Sequence, residues 1–170
     1  TIKDRRIDTL AFDPQSKAFV IIEYKRERNS SVIDQGFTYL SLMLQNQADF
    51  ILEYNETQAR NLKRNDVDWS QTKVVFVSQG FTPNQREAVN FKDLSIELWE
   101  VKRYENDSVS ITPIRKSHAS ASIKTVMQNS PEFKEVTEKI KEYSEENLLK
   151  GKSDDVVELY ESYKNAILNL

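Results

Sequence analysis

Two carboxylates and one ammonium stand close to the ends of two short apolar runs, and their types suit phosphate chemistry. Asp8 interrupts the run Ile7–Phe12, while Glu23 and Lys25 close the run that begins at Ala18. Asp13-Pro14-Gln15-Ser16-Lys17 separates the runs, and strand-like runs about a polar, proline-containing break predict a β-hairpin. A turn centred between Gln15 and Ser16 sets Phe12 opposite Phe19 and Asp8 opposite Glu23. Opposed residues have Cβ atoms about 4.5–5.5 Å apart. Alternation along a strand points Glu23 and Lys25 to one face. Both acids and the lysine then converge at one sheet edge. Opposed like charges are destabilising unless compensated. Mg²⁺ compensates them: it takes one or two carboxylates, keeps several waters and binds substrate phosphate. Lys25 adds a point charge that holds a phosphate or a metal-activated water. A slip of one residue in register would send the two acids to opposite faces.

The elements that must position these groups follow in order. Ser31-Val32-Ile33-Asp34 has the capping-box layout of a helix start. The helix runs to about Gln45, with Val32, Ile33, Phe37, Leu40, Met43 and Leu44 as its apolar stripe. Gln35 and Tyr39 are four apart and share a face. Gly36 beside them costs about 1 kcal/mol of helix propensity relative to Ala, which a close backbone approach would explain. Ala48–Leu62 reads as a second helix and 63–71 as a loop. Lys73–Ser78 is an apolar, β-branched run expected of a strand buried on both faces. Thr82-Pro83-Asn84-Gln85 starts a short helix, with Pro at the first helical position. Ile96–Arg103 and Ser108–Ile114 supply two more strands. The order β-β-α-α-β-α-β-β predicts an α/β sandwich with a mixed central sheet flanked by helices. After residue 114 the composition changes: 115–129 reads as a Ser- and Ala-rich linker, and 130–170 as a helical extension or the start of a second domain. Within it, one helix starts at Pro131 and stops near Gly151. A last helix carries Val156, Leu159, Tyr160, Tyr163, Ile167 and Leu170 as its apolar residues.

Asp8 followed by Glu23-Tyr24-Lys25 resembles the core motif of the PD-(D/E)xK nuclease superfamily, the restriction-endonuclease-like proteins. Gln35-Gly36-Phe37-Thr38-Tyr39 is similar to the QxxxY element of its RecB-like branch, and the wording is closest to NucS-like domains. The resemblance covers about residues 5 to 114. It implies a restriction-endonuclease-like domain over 1–114 and a metal-dependent hydrolase, an endo- or exodeoxyribonuclease that cuts DNA with Mg²⁺, or Mn²⁺ as substitute. It implies that Asp8 and Glu23 ligate the metal, with the Tyr24 carbonyl as a third ligand, and that Lys25 positions the attacking water. Gln35 and Tyr39 would orient the site or touch the substrate backbone, and Arg26, Arg28 and Lys3 would contact phosphates. Two departures stand out. Arg5-Arg6 occupies the place where relatives carry Gly, and the chain opens at Thr1, too late to hold the upstream Glu-bearing helix. The last stretch resembles the opening of a small helical domain that often follows such modules. The second reading is a catalytically inactive module of the same fold that binds nucleic acid or protein.

Composition narrows the classes. The 170 residues are 38% hydrophobic and 30% charged, which suits one ordinary domain with an appendage. No cysteine is present, which excludes disulfides and thiolate zinc sites. No run approaches the ~18 apolar residues of a membrane span, and no signal peptide is evident, so a cytoplasmic setting is expected. Thr1 in place of Met reads as a missing N-terminus. The net charge of −3 gives no global sign of nucleic acid. Locally, residues 1–28 hold 7 bases and 5 acids, whereas residues 129–170 hold 10 acids and 6 bases. DNA is the expected partner, with no membrane, and the acidic C-terminal helices are the expected seat of any homodimer. Each signal has a plainer alternative: Glu23-Tyr24-Lys25 as a solvated strand end, Gln35 and Tyr39 as a polar helix face, His118 as surface. Glu97 would reach the site only if its strand were adjacent to it.

Overall fold

The computed structural model describes residues 2, 5–26, 31–117, 139–140 and 145–168. Strands β1 (Thr9–Asp13) and β2 (Ala18–Lys25) form the expected hairpin, with Phe12 opposite Phe19 and Thr9 opposite Ile22. Asp13 closes the turn: its carboxylate accepts from the Gln15 amide at 3.0 Å and the Ser16 hydroxyl at 2.7 Å. The Ser16 bond, followed by the Gln15 bond, holds the Asp13 carboxyl below the usual carboxylate range. Lys17 takes the left-handed φ of 52° that such a turn needs. β1 begins at Thr9, two residues later than the apolar run suggested, so Asp8 falls in the bend before it.

Helices α1 (Val32–Gln45) and α2 (Gln47–Gln58) carry the chain to β3 (Lys73–Ser78). Helix α3 (Pro83–Ala88) leads to β4 (Ile96–Arg103), and a tight turn to β5 (Val109–Pro113). The sheet order is β1-β2-β3-β4-β5. β2, β3 and β4 are parallel, while the two outer pairs are antiparallel. The reason is connectivity: tight turns join antiparallel neighbours, whereas helical crossovers return the chain parallel. The fold is thus α/β, a central mixed sheet flanked by helices, with a C-terminal helical region.

One face of the sheet makes the core. Phe19 and Ile21, Val74 and Phe76, and Ile96 and Leu98 are buried with Phe37, Leu40, Met43 and Leu44 of α1 and Phe50 of α2. Gly36 permits the close approach its position suggested. A Cβ there would lie 2.9 Å from Ile96 Cγ1 and 3.4 Å from the Phe76 ring.

α2 stops at Gln58, short of the expected Leu62. Ala59 turns left-handed at φ 50°, and the Asn55 side chain binds both the Leu62 amide (2.8 Å) and carbonyl (3.0 Å). That local competition from Asn ends the helix. The predicted loop that follows contains two single 3₁₀ turns, Arg64–Asp66 and Trp69–Gln71. Trp69 packs on Phe19 with ring centroids 5.4 Å apart. Thr82 and Gln85 make the reciprocal capping box that starts α3.

In the C-terminal region the described elements are α4 (Glu145–Leu149) and α5 (Asp154–Leu168). Lys164 of α5 pairs with Glu145 of α4. Residues 118–138, which hold most of the expected linker, the helix start at Pro131 and His118, lie outside the described residues. Among those described, no helix is long and apolar enough to cross a membrane.

Candidate functional site

The site lies where the C-terminal ends of the parallel strands meet α1. On β2, Phe19, Ile21, Glu23 and Lys25 alternate onto the helix face, and Glu23 is only 9% exposed. A carboxylate there must be satisfied by protein groups. α1 supplies them, because Gln35 and Tyr39 sit one turn apart on the side that meets β2. Gln35 Nε2 donates to Glu23 Oε1 at 2.8 Å and lies 3.1 Å from the Tyr39 hydroxyl oxygen. The Tyr39 hydroxyl is 3.2 Å from both Glu23 Oε2 and the Arg6 carbonyl oxygen, either of which can take its one proton. Lys25 Nζ donates to Gln35 Oε1, stands 3.7 Å from Glu23 Oε1, and sits 5.5 Å above the Phe76 ring. Four of the five expected catalytic residues, Glu23, Lys25, Gln35 and Tyr39, thus form one closed network.

Asp8 stands at its margin. Its carboxylate accepts the Tyr24 backbone N–H at 3.1 Å, and the residue is exposed. The Tyr24 side chain points to the opposite sheet face, 55% exposed, with its hydroxyl 3.4 Å from Thr9 Oγ1. Glu97 is on that opposite face too. It pairs with Lys73 at 3.1 Å and accepts Trp99 Nε1 at 2.9 Å, so it does not approach the site. Glu100 is neutralised by Arg86 at 2.5 Å. Arg26 is exposed just beyond β2. Arg28 and Lys3 lie outside the described residues.

This arrangement corrects the metal-dependent reading. Among the described residues, no three His, Cys, Asp or Glu side chains come together in a way that could hold a metal ion. The Mg²⁺ expected on Asp8, Glu23 and Tyr24, and Mn²⁺ as its substitute, therefore lacks a ligand set, and so does the expected metal-dependent hydrolysis of DNA. The physical reason is plain in the geometry. Glu23 has both oxygens bound to Gln35 and Tyr39, and Asp8 is committed to the Tyr24 amide. The repulsion that a cation was expected to relieve is met by neutral donors and by Lys25.

Two partners had no sequence signal: the Arg6 carbonyl, because a backbone group carries no side-chain signature, and the Phe76 ring under Lys25, which reads simply as core. The spacing from Lys25 to the KVVFVS strand gave no register. Only the pairing of Lys25 with Ser78 and of Glu23 with Phe76 supplies it.

Burial pushes the Tyr39 hydroxyl pKa above the ordinary tyrosine value; the Gln35 bond opposes this and the Glu23 charge adds to it. A raised folded-state pKa gives stability that is complete below the ordinary tyrosine pKa of about 10 and is lost as pH climbs through the folded value. Urea midpoints for the parent and Tyr39→Phe should therefore diverge least at high pH. Between about pH 9 and 11 the parent should lose more stability than the variant, and equal losses would remove Tyr39 as a linked group.

Fold and site together define an α/β protein with a mixed sheet and a closed Glu-Gln-Tyr-Lys network at the strand ends. No family model matches the chain, and no solved structure matches it. It is 56% identical over all 170 residues to an "Uncharacterized protein" of Haemophilus influenzae. The chain spans 56% of that relative's length.

Proposed function

We propose that this chain is a nuclease-fold module, of PD-(D/E)xK descent and restriction-endonuclease-like architecture, that binds nucleic acid without cutting it. The observation that carries this reading is the occupation of both Glu23 oxygens by Gln35 and Tyr39. The motif residues are spent on each other and fasten α1 to β2. At that edge two arginines stand exposed beside Asp8: Arg6, whose carbonyl meets Tyr39, and Arg26, next to Lys25. Arginine forks suit phosphate oxygens, which position a nucleic acid without reading its sequence. A cytoplasmic setting belongs with this reading.

The test is fluorescence anisotropy of labelled single- and double-stranded DNA in EDTA. Binding should weaken as salt rises, with log K falling linearly against log salt. Arg6→Ala and Arg26→Ala should each weaken binding to every sequence alike and reduce the slope by about one. Absence of binding at low salt, or affinity indifferent to salt, would sink the proposal.

A further inference from the structure

An open cleft of about 610 Å³ lies at the turn end of the hairpin, at the opposite end of β2 from Glu23 and Lys25. Two segments frame it. The β1–β2 turn gives Phe12, Pro14 and Lys17, while α2 and the loop after it give Tyr54, Arg60, Asn61 and Asn65. Local bonds hold the frame. The Lys17 carbonyl accepts the Asp68 amide at 2.7 Å, which ties the turn to the loop. The Asn55 side chain binds both backbone groups of Leu62, on the far wall. The cleft is therefore formed in advance, and its size falls within the range of about 300–1,000 Å³ of small-molecule sites.

Three kinds of side chain converge there. Phe12 and Tyr54 are half-buried rings with centroids 5.7 Å apart, and they make an aromatic wall. Lys17 and Arg60 are exposed cations, and neither has an ionic partner among the described residues. Among those residues Asp66 is the only acid lining the cleft, and its carboxylate accepts the Lys63 amide at 2.8 Å. Asn61 and Asn65 are exposed amides whose side chains bond to no described residue. The described fold thus makes no use of these two cations and two amides. Each kind has a complement. Aromatic side chains stack planar rings. Arginine and lysine take phosphate oxygens. An Asn amide offers a donor beside an acceptor, which is what the edge of a base requires.

We propose that this cleft binds a nucleotide, with its base on the wall of Phe12 and Tyr54 and its phosphate between Lys17 and Arg60. Asn61 and Asn65 meet the edge of the base. The nucleotide is a free monophosphate or one unpaired residue of a single strand, since the bases of a duplex are already stacked on each other. The cleft is distinct from the edge that carries Arg6 and Arg26 and does not depend on it.

The test is nitrogen-15 amide spectroscopy of the 170-residue chain. The four ribonucleoside monophosphates are titrated in turn, each beside its nucleoside and beside ribose 5-phosphate. A monophosphate should move the amides of Phe12, Lys17, Tyr54, Arg60 and Asn61 and bind more tightly than its two fragments. Lys17→Gly removes one charge and suits the left-handed φ of 52° at that position. Arg60→Ala removes the other from an exposed site just past α2. Each should weaken binding about tenfold, the worth of one charge-assisted bond, with circular dichroism unchanged. A mixed-sequence DNA hexamer separates the sources. If the hexamer alone moves these amides, with the same loss in both variants, the nucleotide belongs to a strand. Failure of every monophosphate and of the hexamer to move them at millimolar concentration overturns the proposal. So does a nucleoside that binds as tightly as its monophosphate, and so does binding indifferent to both variants. Hexamer shifts confined to the surroundings of Arg6 and Arg26 would overturn it and leave the reading of that edge standing.

Discussion

Glu23→Ala should destabilise the protein by about 3 kcal/mol, the lower end of the cost of breaking a buried pair. The side chain of Glu23 is 12% exposed and that of Lys25 14%. Truncation strips the Gln35 amide of its 2.8 Å acceptor and the Tyr39 hydroxyl of one of its two. Lys25 loses the carboxylate that stands 3.7 Å from its Nζ. Each buried donor left without a partner costs about 1–3 kcal/mol. The pair is not wholly dry, and relaxation lets water reach Lys25, so the sum stays below the simple total. Glu23→Gln keeps the shape and an oxygen acceptor, and should cost about 1 kcal/mol. Urea unfolding at constant m value separates these outcomes. A Glu23→Ala loss within about 0.5 kcal/mol, the range of a plain surface substitution, would show that Glu23 is a solvated strand end and that the closed network does not hold α1 to β2.

Gly36→Ala should also destabilise, although helix propensity points the other way. Alanine in place of glycine favours a helix by about 1 kcal/mol. Here the added Cβ meets Ile96 Cγ1 at 2.9 Å and the Phe76 ring at 3.4 Å. Both neighbours are fully buried, so neither can swing away. Overpacking of this kind costs about 1–3 kcal/mol, and the net loss should be about 2 kcal/mol. α1 would have to lift from the sheet, carrying Gln35 and Tyr39 away from Glu23. The check is a double-mutant cycle with Ile96→Ala, which clears the space. The two changes should be strongly non-additive, with the second substitution costing less in the Gly36→Ala background. Additive effects would mean that the tight contact is not what requires glycine.

Much of this architecture is legible in local spacing. The hairpin register is readable because Asp13-Pro14-Gln15-Ser16-Lys17 fixes the turn, and a turn fixes its strands. Gln35 and Tyr39 share a face because four residues is nearly one helical turn. Ser31 and Thr82 mark their helices through bonds that reach only three residues. Even the need for glycine at position 36 shows, since a helix interior tolerates it only for a reason.

What the tertiary structure decided lies beyond that reach. Asp8 and Glu23 read as a pair awaiting a cation, because their charges oppose across the hairpin. The fold instead brings α1 onto β2 and gives Glu23 two neutral donors and an ammonium. Asp8, left in the bend, takes the Tyr24 amide. The strand KVVFVS reads as buried on both faces, and Val74 and Phe76 on one face and Val75 on the other are buried, with Val77 half-buried; which groups cover each face is not written in the run itself. A sequence pattern states which groups must be satisfied or covered. Which partners do so is set by contacts between residues far apart in the chain, whose free energies depend on the whole fold and leave no local periodicity to read.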